Sequence, residues 1–334
     1  VVEEQVKPKS EVEKEAGRTP SNDRWWQRAL MIRRRDFVCW VMGLPLLSLF
    51  PFRVVRLPAQ TASDRFKNDS GAPNIGERFA GEELHYDISF WIIKRVAVAK
   101  LSFNRAEQKG LYIATLQGET VGILGFLARY RVDTYYSLME EVDGGKRLRS
   151  LSFDEYVKVG SRVRKNLHTF DHQRRKWVHR SSRRDGTMET MEKEIPEGQT
   201  YDDFLTAAYN FRCGIYGTVE RGKTYNVATF PRKGTGVYEV KVVSKAEEDR
   251  RRRSEGAGEE EEYAIDLKFD PDIINSKEGV IEGWLSKEFY PVEGTIKDVI
   301  LFGDVQGRLV KRSIKKEPSS PAAPSAEDVE HMLK

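Results

Sequence analysis

Leu84-His85-Tyr86-Asp87-Ile88-Ser89-Phe90 sets an apolar side chain at every second position with a polar one between. Successive side chains of an extended chain leave on opposite faces, so this run reads as a strand with one buried and one wet face. Working outward, similar short runs recur at 97–103, 111–116, 129–138, 148–156, 237–243, 263–269, 280–285 and 295–302. Turn signals such as Lys109-Gly110, Asp143-Gly144-Gly145, Asp185-Gly186, Asp304 and Gly307 separate them. Many short strands at this spacing predict a mainly β domain, an antiparallel curved sheet of half-barrel or barrel-like form with one helix packed on it.

The helix is expected just after Asp202. Phe204, Leu205, Ala208, Tyr209, Phe211, Arg212 and Ile215 return at three- and four-residue intervals, with Asp202 as the cap. Glu247–Glu262 carries four arginines followed by four glutamates and reads as a solvated hairpin loop. Beyond Arg312 the composition turns to Pro, Ser and Ala, which marks 313–334 as a loose tail. No long period repeats, so 76–312 is expected to be one domain, preceded by a linker at 63–75.

At the N-terminal end, FVCWVMGLPLLSLFPF (37–52) is free of charge and follows Arg33, Arg34 and Arg35 closely. A basic stretch and a short apolar one are the marks of an export signal, here 31–62 with cleavage expected near Ala62. The run is shorter than the roughly 20 residues of a membrane span and is interrupted by Pro45 and Pro51. Residues 1–30 form a polar extension that an ordinary signal does not carry, which suggests translation from Met31. The alternative is an uncleaved anchor at 37–52. The expected location is therefore outside the cytoplasm, periplasmic or in the cell envelope.

Charge sharpens this. Residues 1–62 hold 11 Lys/Arg against 7 Asp/Glu, and the remainder holds 45 of each, so the excess of +4 resides wholly in the export segment. A nucleic-acid binder is expected to keep a basic surplus in its folded domain, which argues against that class. Cys39 lies in the apolar stretch and Cys213 stands alone afterwards, so the exported part can form no internal disulfide.

Four patches between Gly76 and Leu309 carry a resemblance. They are Gly76-Glu77 and Gly81-Glu82 leading into Leu84-x-Tyr86-x-Ile88; Tyr130-Arg131-Val132-Asp133 with Ser137; Asp202-Asp203-Phe204-Leu205-Thr206-Ala207-Ala208-Tyr209-Asn210-Phe211-Arg212 followed by Gly222; and Gly283-Trp284-Leu285-Ser286 with Pro291-Val292. In these the chain resembles DUF3108, a family of uncharacterised bacterial exported proteins. The resemblance implies an exported β-rich domain and names no activity. Ile93-Lys94-Arg95-Val96-Ala97 departs from the family, which tends to place a glycine after its first strand.

No catalytic residue, metal site or cofactor is expected. His168 and His172 are four apart, but their segment reads as a strand edge, where that spacing separates them by about 13 Å. The carboxylate pairs Asp154-Glu155, Asp202-Asp203 and Asp270/Asp272 would have to converge in a cleft to act as acid and base. Tyr209 and Arg212 share a helix face, and a buried Arg needs a carboxylate, with Asp202, Glu77 and Asp133 as candidates, or else lines a cavity. Tyr86, Trp91, Tyr209, Arg212 and Trp284 form the candidate binding set, for a lipid-like ligand or an envelope partner. Membrane contact is expected only through the N-terminal segment. The alternatives are a carboxylate-dependent hydrolase and a scaffold without a cavity.

Overall fold

The computed structural model describes residues 74–315 apart from 91, 184, 232–235, 257, 259–260, 269–275 and 300–302. The expected export segment and most of the expected tail therefore lie outside the described residues. Strands β1 (Glu82–Phe90), β2 (Ile93–Arg105), β3 (Leu111–Thr120), β4 (Val132–Val142), β5 (Arg147–Val159), β6 (Arg162–Asp171), β7 (Lys176–Ser182) and β8 (Met188–Glu194) run up and down, each bonded to the next. A second meander comprises β9 (Thr224–Ala228), β10 (Val237–Val242), β11 (Tyr263–Lys268), β12 (Val280–Leu285), β13 (Pro291–Val299) and β14 (Gly303–Ile314). The two join where β14 pairs antiparallel with β1, giving one 14-stranded antiparallel sheet whose edges are β8 and β9. The mainly β, antiparallel architecture is thus observed as an open sheet, not a closed barrel. Edge strand β8, Met188-Glu189-Thr190-Met191-Glu192-Lys193-Glu194, is exposed throughout, and its charges discourage pairing with another chain.

Where one helix was expected, four occur among the described residues: α1 (Ile75–Phe79), α2 (Gly122–Leu127), α3 (Phe204–Arg212) and α4 (Lys245–Glu255). The anticipated one is α3, which links the two edge strands and lies against the inner face of the sheet. Leu205 and Tyr209 pack with Phe103, Tyr135, Met139, Phe153 and Trp177 of the first meander. Ala207 and Phe211 pack with Tyr225, Val240, Ile265 and Ile281 of the second. Both halves of the sheet therefore bury their apolar face on a single helix. Phe230, just past β9, completes the wrap by packing on Phe153, His168, Phe170 and Trp177 at 4.8–6.0 Å.

Three local expectations are corrected. The N-cap of α3 is Asp203, whose side chain accepts from the backbone N–H of Leu205 and Thr206. Asp202 turns instead to β5, accepting from Arg147 at 2.8 Å and the Ser150 N–H at 3.0 Å. The supposed solvated loop after Glu247 is mostly helix α4, capped by Ser244 and ended by Gly256 in the left-handed conformation. Its block of acids lies one turn before its block of arginines, and the two pair along the helix and across to β11. Glu248 is buried, with Arg221 at 2.8 Å and Lys245 at 2.7 Å. Finally, β14 continues past Arg312, and Lys315 donates its backbone N–H to Gly81.

Candidate functional site

Glu82 and Glu83 leave β1 on opposite faces. Outside, Lys100 and Lys315 lie 2.6 and 3.0 Å from Glu83. Burial works against the Glu83 charge, but these two lysines more than offset it and hold the carboxyl down at about 2. Inside, Glu82 receives two bonds from Arg212 of α3, at 2.6 and 2.8 Å, and a third at 3.3 Å from Arg312. Glu82 and Arg212 are only 2% and 5% exposed. Burial disfavours the Arg212 cation, and the Glu82 carboxylate overcomes this to hold its pKa above the ordinary value. The partner of Arg212 is thus none of Asp202, Glu77 or Asp133.

Of the candidate set, Tyr86, Tyr209 and Arg212 come together around Glu82. The guanidinium of Arg212 lies 5.2 Å from the Tyr209 ring centroid and 4.5 Å from that of Phe79. Tyr86 is two strand positions beyond Leu84 on the same face, feels the Arg212 and Glu82 charges, and donates its hydroxyl to the Pro291 carbonyl at 2.9 Å. Trp284 lies elsewhere, packed with Val243 and Ala264, its indole N–H on Glu255 at 2.9 Å and Arg252 over its ring. Trp91 lies outside the described residues.

A second buried seam fastens the start of α3. Asp203 Oδ2 accepts from Ser137 at 2.5 Å, Ser150 at 2.7 Å and Thr206 at 2.9 Å. Asn210 bonds both the N–H and the carbonyl of Leu148, at 3.0 and 2.8 Å. The Asp202-Asp203 pair is therefore engaged in holding helix to strands. Asp270/Asp272 lies outside the described residues. Asp154 and Glu155, being adjacent on β5, point to opposite faces. His168 is buried on β6, where it accepts from the Trp177 indole at 3.2 Å and stacks on His179. His172 lies beyond the strand and contacts the Ser150 carbonyl.

Asp154 sits on the outer face beside Tyr136 and Tyr156, and burial pushes its carboxyl up from 3.8 to about 6. The folded chain then holds that proton more tightly than the unfolded chain, so ionisation removes stability as pH rises from about 4 through about 6. Asp154→Asn is expected to stabilise by about 1–2 kcal/mol at neutral pH and by nothing below about pH 4. Urea unfolding at the two pH values checks it.

One end of the sheet presents a different chemistry. The run Gly122-Ile123-Leu124-Gly125-Phe126-Leu127 forms α2 between β3 and β4. Its packing side uses Gly125, where a Cβ would stand 2.8 Å from the Thr120 carbonyl, and Ala128 just beyond its end. Two of its large residues face outward: Ile123 is 82% and Phe126 69% exposed. Leu127 is exposed too, as are Tyr130 and, on the neighbouring β1–β2 hairpin, Ile92 and Ile93. Burying such side chains is worth about 1.5–3 kcal/mol each, most of which the fold leaves unrecovered at Ile92, Ile123 and Phe126. Arg129 and Tyr130 both adopt positive φ, 59° and 51°, which is strained for side-chain-bearing residues and fixes the exit from the helix. Beside this rim, on the outer face, lies a groove of about 350 Å³ lined by His85, Asp87, Arg95, Lys100, Gln117 and Glu119, with Tyr86 also among its residues.

The family model described as a protein of unknown function (DUF3108) matches residues 85–307, more than half of the chain. The chain belongs to the DUF3108 family. Its four DUF3108-like patches now have physical meanings. Gly76 lets α1 approach Tyr112, whose ring a Cβ would meet at 2.2 Å, and Glu77 accepts from the Tyr112 hydroxyl and Arg105. Gly81 has φ 84° and lies against the Lys315 carbonyl, leading directly to Glu82. Arg131 grips buried Asp133 through two nitrogens at 2.9 Å, and Ser137 serves Asp203. Ser286 closes the turn to Tyr290, accepting from the Glu288 and Tyr290 N–H groups. The rim gave no motif; its one sequence signal was an uncharged Gly-Ile-Leu-Gly-Phe-Leu between two strands.

Among solved structures, this DUF3108 chain is similar to a β-barrel-like protein of domain of unknown function DUF1849 from Brucella abortus. The match is 14% identical, covers 72% of this chain and 99% of that one, and has a TM-score of 0.38. It is also similar to a protein with a YmcC-like fold from Bacteroides fragilis, at 8% identity, 70% and 96% coverage and a TM-score of 0.23. No curated protein matches it in sequence.

Proposed function

We propose that the chain is an exported, envelope-side β domain that acts by binding, and that it holds an amphiphilic envelope component at the rim of α2 and the β1–β2 hairpin. The observation that carries this is the outward-facing apolar surface of the helix: Gly125 and Ala128 are buried at its packing side while Ile123, Phe126 and Leu127 meet water. A contiguous apolar surface beside a polar groove suits a molecule with an apolar and a polar part. The inner face supports the same choice, because α3 and its aromatic neighbours occupy it and Glu82 engages both terminal nitrogens of Arg212. The cluster of Tyr86, Tyr209 and Arg212 then serves to hold the helix. Export is supported by the charge-free 37–52 run behind three arginines.

Native mass spectrometry of the full chain with dodecylphosphocholine below its micellar concentration tests the reading. A bound adduct is expected, weakened at least about tenfold by the double substitution Ile123→Ser, Phe126→Ser, since two buried apolar side chains account for more than that. Equal adducts on parent and variant would contradict it.

A further inference from the structure

We propose that this rim docks on the surface of an anionic lipid bilayer, an inference that rests on the amphiphile-binding reading and names its partner. The chain segments 92–96, 121–131 and 158–165 carry eight Lys/Arg and no Asp/Glu. The fold makes them one surface: Val121 donates its N–H to the Val96 carbonyl at 3.0 Å, and Gly160, in the β5–β6 turn, donates to the Arg129 carbonyl at 3.0 Å. Lys94, Arg95, Arg129, Lys158, Arg162 and Arg164 are exposed there. Arg95 and Arg131 are paired with Asp87 and Asp133. Among the described residues no ion pair involves Lys94, Arg129, Arg162 or Arg164. Since residues 63–334 hold equal numbers of acids and bases, the three acid-free segments reflect a local segregation of charge, with Asp87, Glu119 and Asp133 as the acids beside them.

The geometry favours a surface over a single captured molecule. Ile123 and Phe126 protrude from a helix, and Ile92 and Ile93 from a separate hairpin, so one chain of a monomeric amphiphile would leave most of them wet. A bilayer takes them all at once, the apolar tips entering the headgroup boundary while the surrounding cations meet lipid phosphates and Tyr130 lies at the interface. No helix among the described residues is long and apolar enough to cross a membrane, and this contact needs none. It adds a second membrane contact to the one expected through the N-terminal segment.

The test must read the rim itself, because 37–52 could also bind lipid. In the full chain carrying Cys39→Ser and Cys213→Ser, an environment-sensitive NBD label is placed at Ile123→Cys, with Phe126→Cys as an alternative and Gln108→Cys at the opposite end as reference. Equimolar phosphatidylcholine–phosphatidylglycerol vesicles are expected to blue-shift the label at 123 or 126 and leave that at 108 unchanged. Phosphatidylcholine alone should act weakly. Each surface cation contributes about fivefold in affinity, so the triple substitution Arg129→Gln, Arg162→Gln, Arg164→Gln should raise the lipid required by about a hundredfold. Equal shifts with both vesicles would overturn the anionic preference. No shift with either, while the dodecylphosphocholine adduct persists, would overturn bilayer docking and leave the amphiphile reading standing; loss of both would overturn the two together. A shift that grows with protein concentration without lipid would assign the rim to a second copy and overturn the proposal.

Discussion

Glu82→Ala should lower the stability of the fold by about 3–5 kcal/mol, the cost of leaving a buried guanidinium without its carboxylate. Arg212 sits at the end of α3, 5% exposed, with Phe79 and Tyr209 over its faces, so water cannot easily replace the lost partner. Arg312, also bonded to Glu82, would add a second unbalanced cation. The double substitution Glu82→Leu, Arg212→Met removes both charges of the main pair and should recover most of the loss, because well-packed apolar residues replace buried ion pairs at little cost. Urea unfolding of the single and double variants separates the pair from its packing. A loss below about 1 kcal/mol for Glu82→Ala would place the pair in an effectively aqueous setting and contradict the burial on which the helix anchoring depends.

The other end of α3 predicts the second large effect. Asp203→Ala should lose about 2–4 kcal/mol: the cap contributes about 0.5–2, and three buried hydroxyls lose a shared acceptor. Ser137, Ser150 and Thr206 can still bond one another, at 2.9–3.1 Å, which limits the penalty. Burial raises the Asp203 carboxyl above its ordinary value against the hydrogen bonds that favour its charge. Stability linked to this group is therefore greatest at low pH and falls as pH rises through the raised value. Asp203→Asn, which keeps an acceptor and carries no charge, should lose less than Asp203→Ala; neither variant titrates at this position, so the gap between the two should stay constant while both losses shrink as pH rises through the raised value. Denaturant titrations at two pH values give both quantities.

These two anchors also show why much of the fold was legible. Strict alternation in β1 and the three-and-four spacing from Phe204 to Arg212 are direct consequences of one buried face. The motif residues Glu82, Asp203, Asn210 and Arg212 all fasten α3 to the sheet. Where the reading failed, polar chemistry hid the buried face. Asp202 and Asp203 are both plausible caps, and only the docking of β5 decides which one turns away. The charged run at Glu247–Arg253 looks solvated, yet its acids and bases lie one turn apart and form α4. Edge strand β8 shows no alternation because both its faces are wet. The rim was illegible for the opposite reason: apolar residues in a short helix signal core, and nothing in Gly-Ile-Leu-Gly-Phe-Leu says that the glycine is inside.

The central claim is that the interior is filled by a fixed helix and that binding takes place outside, at the rim. Hydrogen–deuterium exchange of the full chain with and without phosphatidylcholine–phosphatidylglycerol vesicles addresses it most directly. The account predicts new protection across residues 122–130 and the β1–β2 hairpin, with the amides of 204–212 equally protected in both states. Loss of protection in α3 with an unchanged rim would contradict it, showing instead that the helix leaves the sheet and that the interior receives the ligand.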